Sequence, residues 1–247
     1  MTDSPVGDPA ATSPASPSQP PVDPSEDPFA DPAYRDAVVD LLGAIAYGEI
    51  SAFERLAEDS KLAPTLEDKV ALASMAAGQL EQVAGIRRRL EELGVDAFEA
   101  MAPFRRPIDD FHRHTAPADW YEGLVKAYVG DGLAHDFYRE IAAFLDDDTR
   151  DLVIATLGDA GEADFVVGRV RAAFEVEPRL AGRLALWGRR LMGEALTQAQ
   201  RVAAERDALA GLLAGGRPGL DLVAVGQMLS RMTERHAARM NQLGLAH

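Results

Sequence analysis

The chain has no cysteine. That excludes a disulfide framework, a thiolate nucleophile, Cys-ligated zinc or iron-sulfur clusters and thioredoxin-type redox motifs. Basic residues are scarce as well, 25 Lys and Arg against 40 Asp and Glu for a net charge of −15. A protein whose main task is to hold a phosphate backbone needs clustered Lys and Arg, so that class is disfavoured. Long apolar runs are missing: no stretch approaches the roughly 18 to 20 apolar residues of a membrane span. The N-terminus has neither the basic start nor the apolar run of a secretory signal. A cytoplasmic protein with no membrane partner is the expectation. Aromatics make up only 6% of the chain, and Ala and Leu outnumber Val, Ile and Thr, which points to helix. What is left for chemistry is carboxylates, histidine, hydroxyls or a bound cofactor. A hydrophobic fraction of 47% over 247 residues is ample for a core, in one large or two small domains.

Residues 1–33 differ from the rest. They hold nine of the fifteen prolines and six acids, with no Lys or Arg. Such a segment cannot bury enough apolar surface to offset its ordering entropy, so a disordered acidic tail is expected, followed by one helical domain over residues 34–247.

From Tyr34 onward apolar residues recur at spacings of 3 and 4, the helical period. A first helix is predicted over about residues 36–59, with Leu42, Ile45, Glu49, Phe53 and Leu56 on one stripe. Thr65, with Asp68 three residues on, is a plausible N-cap for a second helix that ends at Gly94 and carries Leu72, Met75, Gln79, Val83, Ile86 and Leu90. Residues 94–117 read as a loop with three prolines. A third helix starting at Ala118 or Asp119 aligns Leu124, Tyr128, Asp131, His135, Tyr138, Ala142 and Leu145. Asp146-Asp147-Asp148 ends it and supplies caps for a fourth, which carries Leu152, Ala155, Asp159, Glu162, Val166 and Val170. A fifth is expected over about residues 179–214. After the turn Gly215-Gly216-Arg217-Pro218-Gly219 comes a last helix with Leu222, Leu229, Met232, His236 and Met240. The short connections make the first and second, and the third and fourth, helices antiparallel neighbours. The long link can cross the whole bundle. The expected fold is therefore all-α: a ferritin-like four-helix bundle with one long crossover, the core over about residues 36–177, and additional C-terminal helices over about 179–243. Gly158-x-x-Gly161 as a phosphate loop in an α/β fold is the weaker reading, since no paired strands accompany it.

Each of the four apolar stripes is interrupted near its midpoint by an acid or amide: Glu49, Gln79 with Gln82, Asp131, and Asp159 with Glu162. Midpoints of antiparallel helices meet at one level, and a carboxylate buried there is costly unless paired or bound to a cation. Ferritin-like di-iron proteins take one Glu from each of two helices and a Glu-x-x-His pair from each of the other two. Glu49 and Asp131 match the single-ligand helices. Gln79-x-x-Gln82 and Asp159-x-x-Glu162 match the paired spacing, which puts both side chains on one face, but neither pair has a His, and two Gln are weak neutral donors.

The segments LLGAIAYGEISAFERLAEDS, WYEGLVKAYVGDGLAHDFYREIA and RLALWGRRLMGEALTQAQRVAAERDAL resemble the ferritin-like, MiaE-like proteins, relatives of the tRNA-isopentenyladenosine hydroxylase. The resemblance runs from Asp36 to about Leu213. It implies a ferritin-like bundle and a di-iron centre that activates dioxygen to hydroxylate a modified adenosine, with tRNA as partner. The ligand set it implies is Glu49, Gln79, Gln82, Asp131, Asp159 and Glu162. The competing reading is a non-catalytic, metal-free ferritin-like scaffold that binds a partner or a small ligand.

Other features have plain readings beside the functional ones. His135 is a core histidine or a replacement ligand. His112-x-His114 belongs to the crossover and reads as surface loop, and Glu194 with Gln198 reads as a solvated edge. Arg87-Arg88-Arg89 and Arg105-Arg106 are either phosphate contacts or solvated helix ends. Met228, Met232 and Met240 pack the last helix against the bundle or against a second subunit, so a homo-oligomer through the C-terminal helices is conceivable.

Overall fold

The computed structural model describes residues 27–157, 160–213 and 222–246, and only the backbone of residues 160–162, 222 and 224. Most of the expected tail, Asp159 and the turn at 215–219 lie outside the described residues, as does the side chain of Glu162. Among the described residues there are ten α-helices and no strand. They are α1 Pro32–Asp59, α2 Leu66–Glu92, α3 Ala97–Met101, α4 Arg105–His114, α5 Trp120–Ala142, α6 Asp147–Ala155, α7 Ala160–Val176, α8 Leu180–Glu205, α9 Asp207–Leu213 and α10 Leu222–Gln242. The result is the expected all-α bundle with one long crossover, between α2 and α5, and additional C-terminal helices.

The three longest elements of the expected bundle start where the cap chemistry places them. The Asp31 carboxylate accepts from the Ala33 amide at 2.9 Å, and Pro32 takes the first helical position, where no donor is needed. Phe29 packs edge-on against Tyr34 at 5.4 Å, so residues 28–33 belong to the fold and not to the tail. Thr65 accepts from the Asp68 amide at 3.1 Å, and α2 is followed by Gly94 at φ +70°. Asp119 accepts from the Glu122 amide at 3.0 Å, while the Glu122 carboxylate reaches back to the Ala118 amide at 2.8 Å. This reciprocal pair closes the start of α5. Arg183 of α8 then grips both acids at 2.5 Å each, and the Trp187 indole donates to the Glu122 carbonyl at 2.9 Å.

Three expected boundaries change. The crossover is helical, because Asp96 caps α3 through the Phe98 and Glu99 amides, and Phe104, Pro107 and Asp110 bury one side of the run that contains α4. The fourth helix is two helices, α6 and α7. Asp146 caps α6 as expected, accepting from the Thr149 amide at 3.0 Å, but the helix stops where the Thr156 hydroxyl bonds back to the Val153 carbonyl at 2.7 Å. The fifth helix also breaks, at Arg206, whose φ of −130° leaves the helical region while its guanidinium pairs with Asp40 of α1.

The core is two apolar clusters, not one. The first gathers Leu72 and Ala76 of α2 with Trp120 to Leu133 of α5, Val166 and Val170 of α7, and much of α8. The second gathers Ala37 to Ala46 of α1 with Ile86 and Leu90 of α2, α3, Tyr138 and Ile141 of α5, and Leu209 and Leu212 of α9. Gly48 faces the Tyr138 hydroxyl and Gly123 faces Asp59, so α1 and α5 run antiparallel. On its other side α5 is clasped by α10: Arg231 and Arg235 reach Glu140 at 2.6 and 2.8 Å, and Arg239 reaches buried Asp136. Met228, Met232 and Met240 are buried in this arrangement. No helix among the described residues is long and apolar enough to cross a membrane.

Gly43 is where α1 and α3 meet. A Cβ there would run into the Ala100 carbonyl, whereas one at Gly193 of α8 would meet open space. Gly43→Ala should destabilise the fold by about 1 to 3 kcal/mol. Gly193→Ala should stabilise it by up to about 1 kcal/mol. Chemical denaturation of the two variants and the parent checks both signs.

Candidate functional site at the seam of the bundle

The polar interruptions fall in the gap between the two apolar clusters. On α1 the gap lies between Ala46 and Leu56 and holds Glu49. On α2 it lies between Ala76 and Ile86 and holds Gln79 and Gln82. On α5 Asp131 and His135 flank Leu133, the last α5 member of the first cluster, ahead of Tyr138 of the second. A cavity of about 170 Å³ opens there between α1, α4 and α5. Glu49, Gln79 and Asp131 line one end, and Asp59, His112 and Lys126 line the other.

At the first end, Glu49 is 5% exposed and its pKa is pushed up to about 8, chiefly by burial and then by the neighbouring Asp131 charge. The Asp131 side chain, which also lines the cavity, keeps 40% of its surface accessible, yet burial still raises its pKa. His135 Nδ1 lies 3.3 Å from Asp131 and opposes that rise, as does the neighbouring Gln79 amide. Burial lowers the His135 pKa in turn. The Tyr138 hydroxyl is held well above its usual range by burial and by the two acids. The Gln82 side-chain oxygen is buried with no hydrogen-bond partner.

At the second end, Lys126 is 4% exposed and its pKa falls to about 8, because burial disfavours the ammonium more than Asp59 supports it. Asp59 rises to about 6 through burial, with Lys126 opposing. His112 falls to about 3, through burial and then the Lys126 and Arg55 charges, so the ring is neutral. The Lys126 ammonium lies over the Phe111 ring, 5.7 Å from its centre.

The expected ligand set is therefore brought together only in part. Glu49, Gln79 and Asp131 line one cavity, and Gln82 is one turn along α2 from Gln79. Asp159 lies outside the described residues, and nothing is described of the Glu162 side chain. Among the described residues, no group of three or more His, Asp or Glu is arranged to hold a metal ion. A di-iron pair of the ferritin type draws on four carboxylates and two imidazoles. The described donors are two carboxylates, one of them engaged by an amide, and two neutral amides, and they do not fit that pair.

Sequence reasoning missed the second end. Lys126 falls off the stripe traced through Leu124, Tyr128 and Asp131, and its signal was a lone Lys inside the apolar run Leu124 to Val129. His112 was read as surface loop because the crossover was; on α4 it turns to the cavity, while His114 turns away to pair with Glu194 at 2.7 Å. Glu194 also accepts from Gln198 at 2.7 Å, so this edge is an inter-helix clasp. Of the arginine run, Arg89 is taken up by Asp146 and Thr149, and Arg87 lies over the Phe98 ring. Arg105 and Arg106 line a shallow surface groove with Asp109 and Asp110.

The fold and the polar seam define a ferritin-like helical bundle. A family model described as a ferritin-like domain of actinomycetes matches residues 32–216, and the chain belongs to that family. No curated protein matches the chain.

In metal-free protein Glu49 is protonated in the folded state up to about pH 8 but ionises from about 4.5 once unfolded. The folded state binds the extra proton across that window, so this contribution to stability is full below about 4.5 and is lost as pH rises to about 8. The stability of Glu49→Gln relative to the parent should therefore grow from pH 4.5 to 8 and then level off. Denaturation midpoints across that range, with chelator present, are the check; a flat difference would show an unshifted Glu49.

Proposed function

We propose that the chain is a non-catalytic, metal-free ferritin-like binding protein, which uses the cavity at the bundle seam to hold a small polar molecule. The observation that carries this reading is that a neutral amide, Gln79, and not a carboxylate lines the cavity from α2 beside Asp131. Where a di-iron site needs an anionic bridging donor, an amide supplies none and engages an acid that a metal would need. The carboxylates are instead accommodated by proton uptake at Glu49, by Gln79 and by His135. The cavity beside them has polar groups at both ends and apolar walls between, the usual anatomy of a small-molecule site.

The second reading is the MiaE-like one, a di-iron enzyme that hydroxylates a modified adenosine with dioxygen. What favours it is the approach of buried Glu49 and half-buried Asp131 from facing helices, in a site that welcomes positive charge. Iron and manganese content after reconstitution separates the two. The binding-protein reading expects no stoichiometric metal in the parent and no change on Glu49→Ala. It also expects metal retention to appear when Gln79→Glu and Gln82→His are introduced together. Two metal ions per chain in the parent, lost on Glu49→Ala, would establish the di-iron reading instead.

A further inference from the structure

Lys126 is the most demanding group in the molecule. Its ammonium is buried, it lines the cavity, and among the described residues it makes neither a hydrogen bond nor a close ion pair. Beside it the His112 Nδ1 is also buried with no partner, on the same cavity. Asp59 stands close enough to support the charge but does not bond to it. Arg55 is 41% exposed and is already engaged by Glu58 at 2.7 Å. An ammonium has three donors and no acceptor, so it can be satisfied only by oxygen or another acceptor. Leaving such a charge buried and unpaired is costly, and an anion is its natural complement.

The cavity bounds the rest of the ligand. Its 170 Å³ is close to the roughly 150 Å³ known to admit a benzene-sized guest in another protein. That is below the roughly 300 Å³ at which drug-sized ligands begin. Leu56, Ile108 and Phe111 make the wall next to Lys126 apolar. At the far end Glu49, Gln79 and Asp131 offer no cation to a second negative charge.

Resting on the reading of the chain as a small-molecule binding protein, we propose that the cavity takes a small organic monocarboxylate. Its carboxylate accepts from Lys126 with His112 alongside, and its apolar body lies against Leu56 and Phe111. One buried cation matches one negative charge. The opposite end holds no cation to match the second charge of a dianion.

Calorimetric titration of the full chain with benzoate, its neutral isostere benzamide and inorganic phosphate tests this. Benzoate should bind one to one, benzamide about tenfold more weakly or worse, and phosphate not at all. Lys126→Met, which keeps most of the length of the side chain and removes its charge, should weaken benzoate about tenfold or more and leave benzamide unchanged. If that variant does not fold, Lys126→Gln carries the same comparison. Equal binding of benzoate and benzamide, or undiminished benzoate binding by the Lys126 variant, overturns the carboxylate assignment while the small-ligand reading stands. Phosphate binding tighter than benzoate also overturns it, in favour of a free inorganic anion. Binding of none of the three overturns both.

Discussion

Ionisable side chains cannot be close-packed among aliphatic ones without partners, and α1 and α5 each bring such groups to their facing sides. Glu49 and Asp59 come from α1, Lys126 and Asp131 from α5. Each is partly neutralised or electrostatically supported, yet none could be covered by leucine without a large desolvation penalty. The bundle answers by splitting its core. Apolar residues condense into one cluster toward each end, and the polar groups are left around a cavity at the seam. The antiparallel run of α1 against α5 aligns the four charged groups into two levels, an acid pair near Tyr138 and a mixed pair near Gly123. The crossover closes the side, since α4 supplies Ile108, Phe111 and His112 to the cavity wall.

This arrangement separates ancestry of fold from retention of chemistry. The ferritin-like family owns the architecture, and the carboxylates Glu49 and Asp131 occupy positions that suit a metal centre. Metal chemistry, however, depends on the charge and softness of the donors as well as on their spacing. An amide at Gln79 preserves shape and hydrogen bonding while removing charge. On the reading proposed above, a site altered in that way no longer balances two cations but remains a polar cavity that water or a small molecule can fill. Lys126 pushes the same site further toward an anionic guest.

Much of the fold was legible from residue patterns because local chemistry determines it. Thr65 and Asp146 cap the helices the sequence assigns them, α5 starts next to Asp119, and Gly94 takes the left-handed conformation that ends α2. Glu49, Gln79 and Asp131 reach one cavity because α1, α2 and α5 lie side by side. What stayed hidden depends on tertiary surroundings. The α3 and α4 segments are too short to show a clear period, and three prolines masked them. The bends at Thr156 and Arg206 follow from a back-bonded hydroxyl and from a distant acid, Asp40, that no local window contains. Lys126 was overlooked because a single apolar stripe was assumed for α5. That helix touches α1, α7, α8 and α10, so nearly its whole circumference is buried and a charged residue off the main stripe still faces inward.

The central claim is that the seam holds a buried, unpaired ammonium next to a cavity instead of a pair of metal ions among acids. Side-chain NMR titration of Lys126 in metal-free, ligand-free protein reads that environment directly. The account predicts a pKa of about 8. Titration at the ordinary value of about 10.4 would place Lys126 in solvent or in a close ion pair and contradict it.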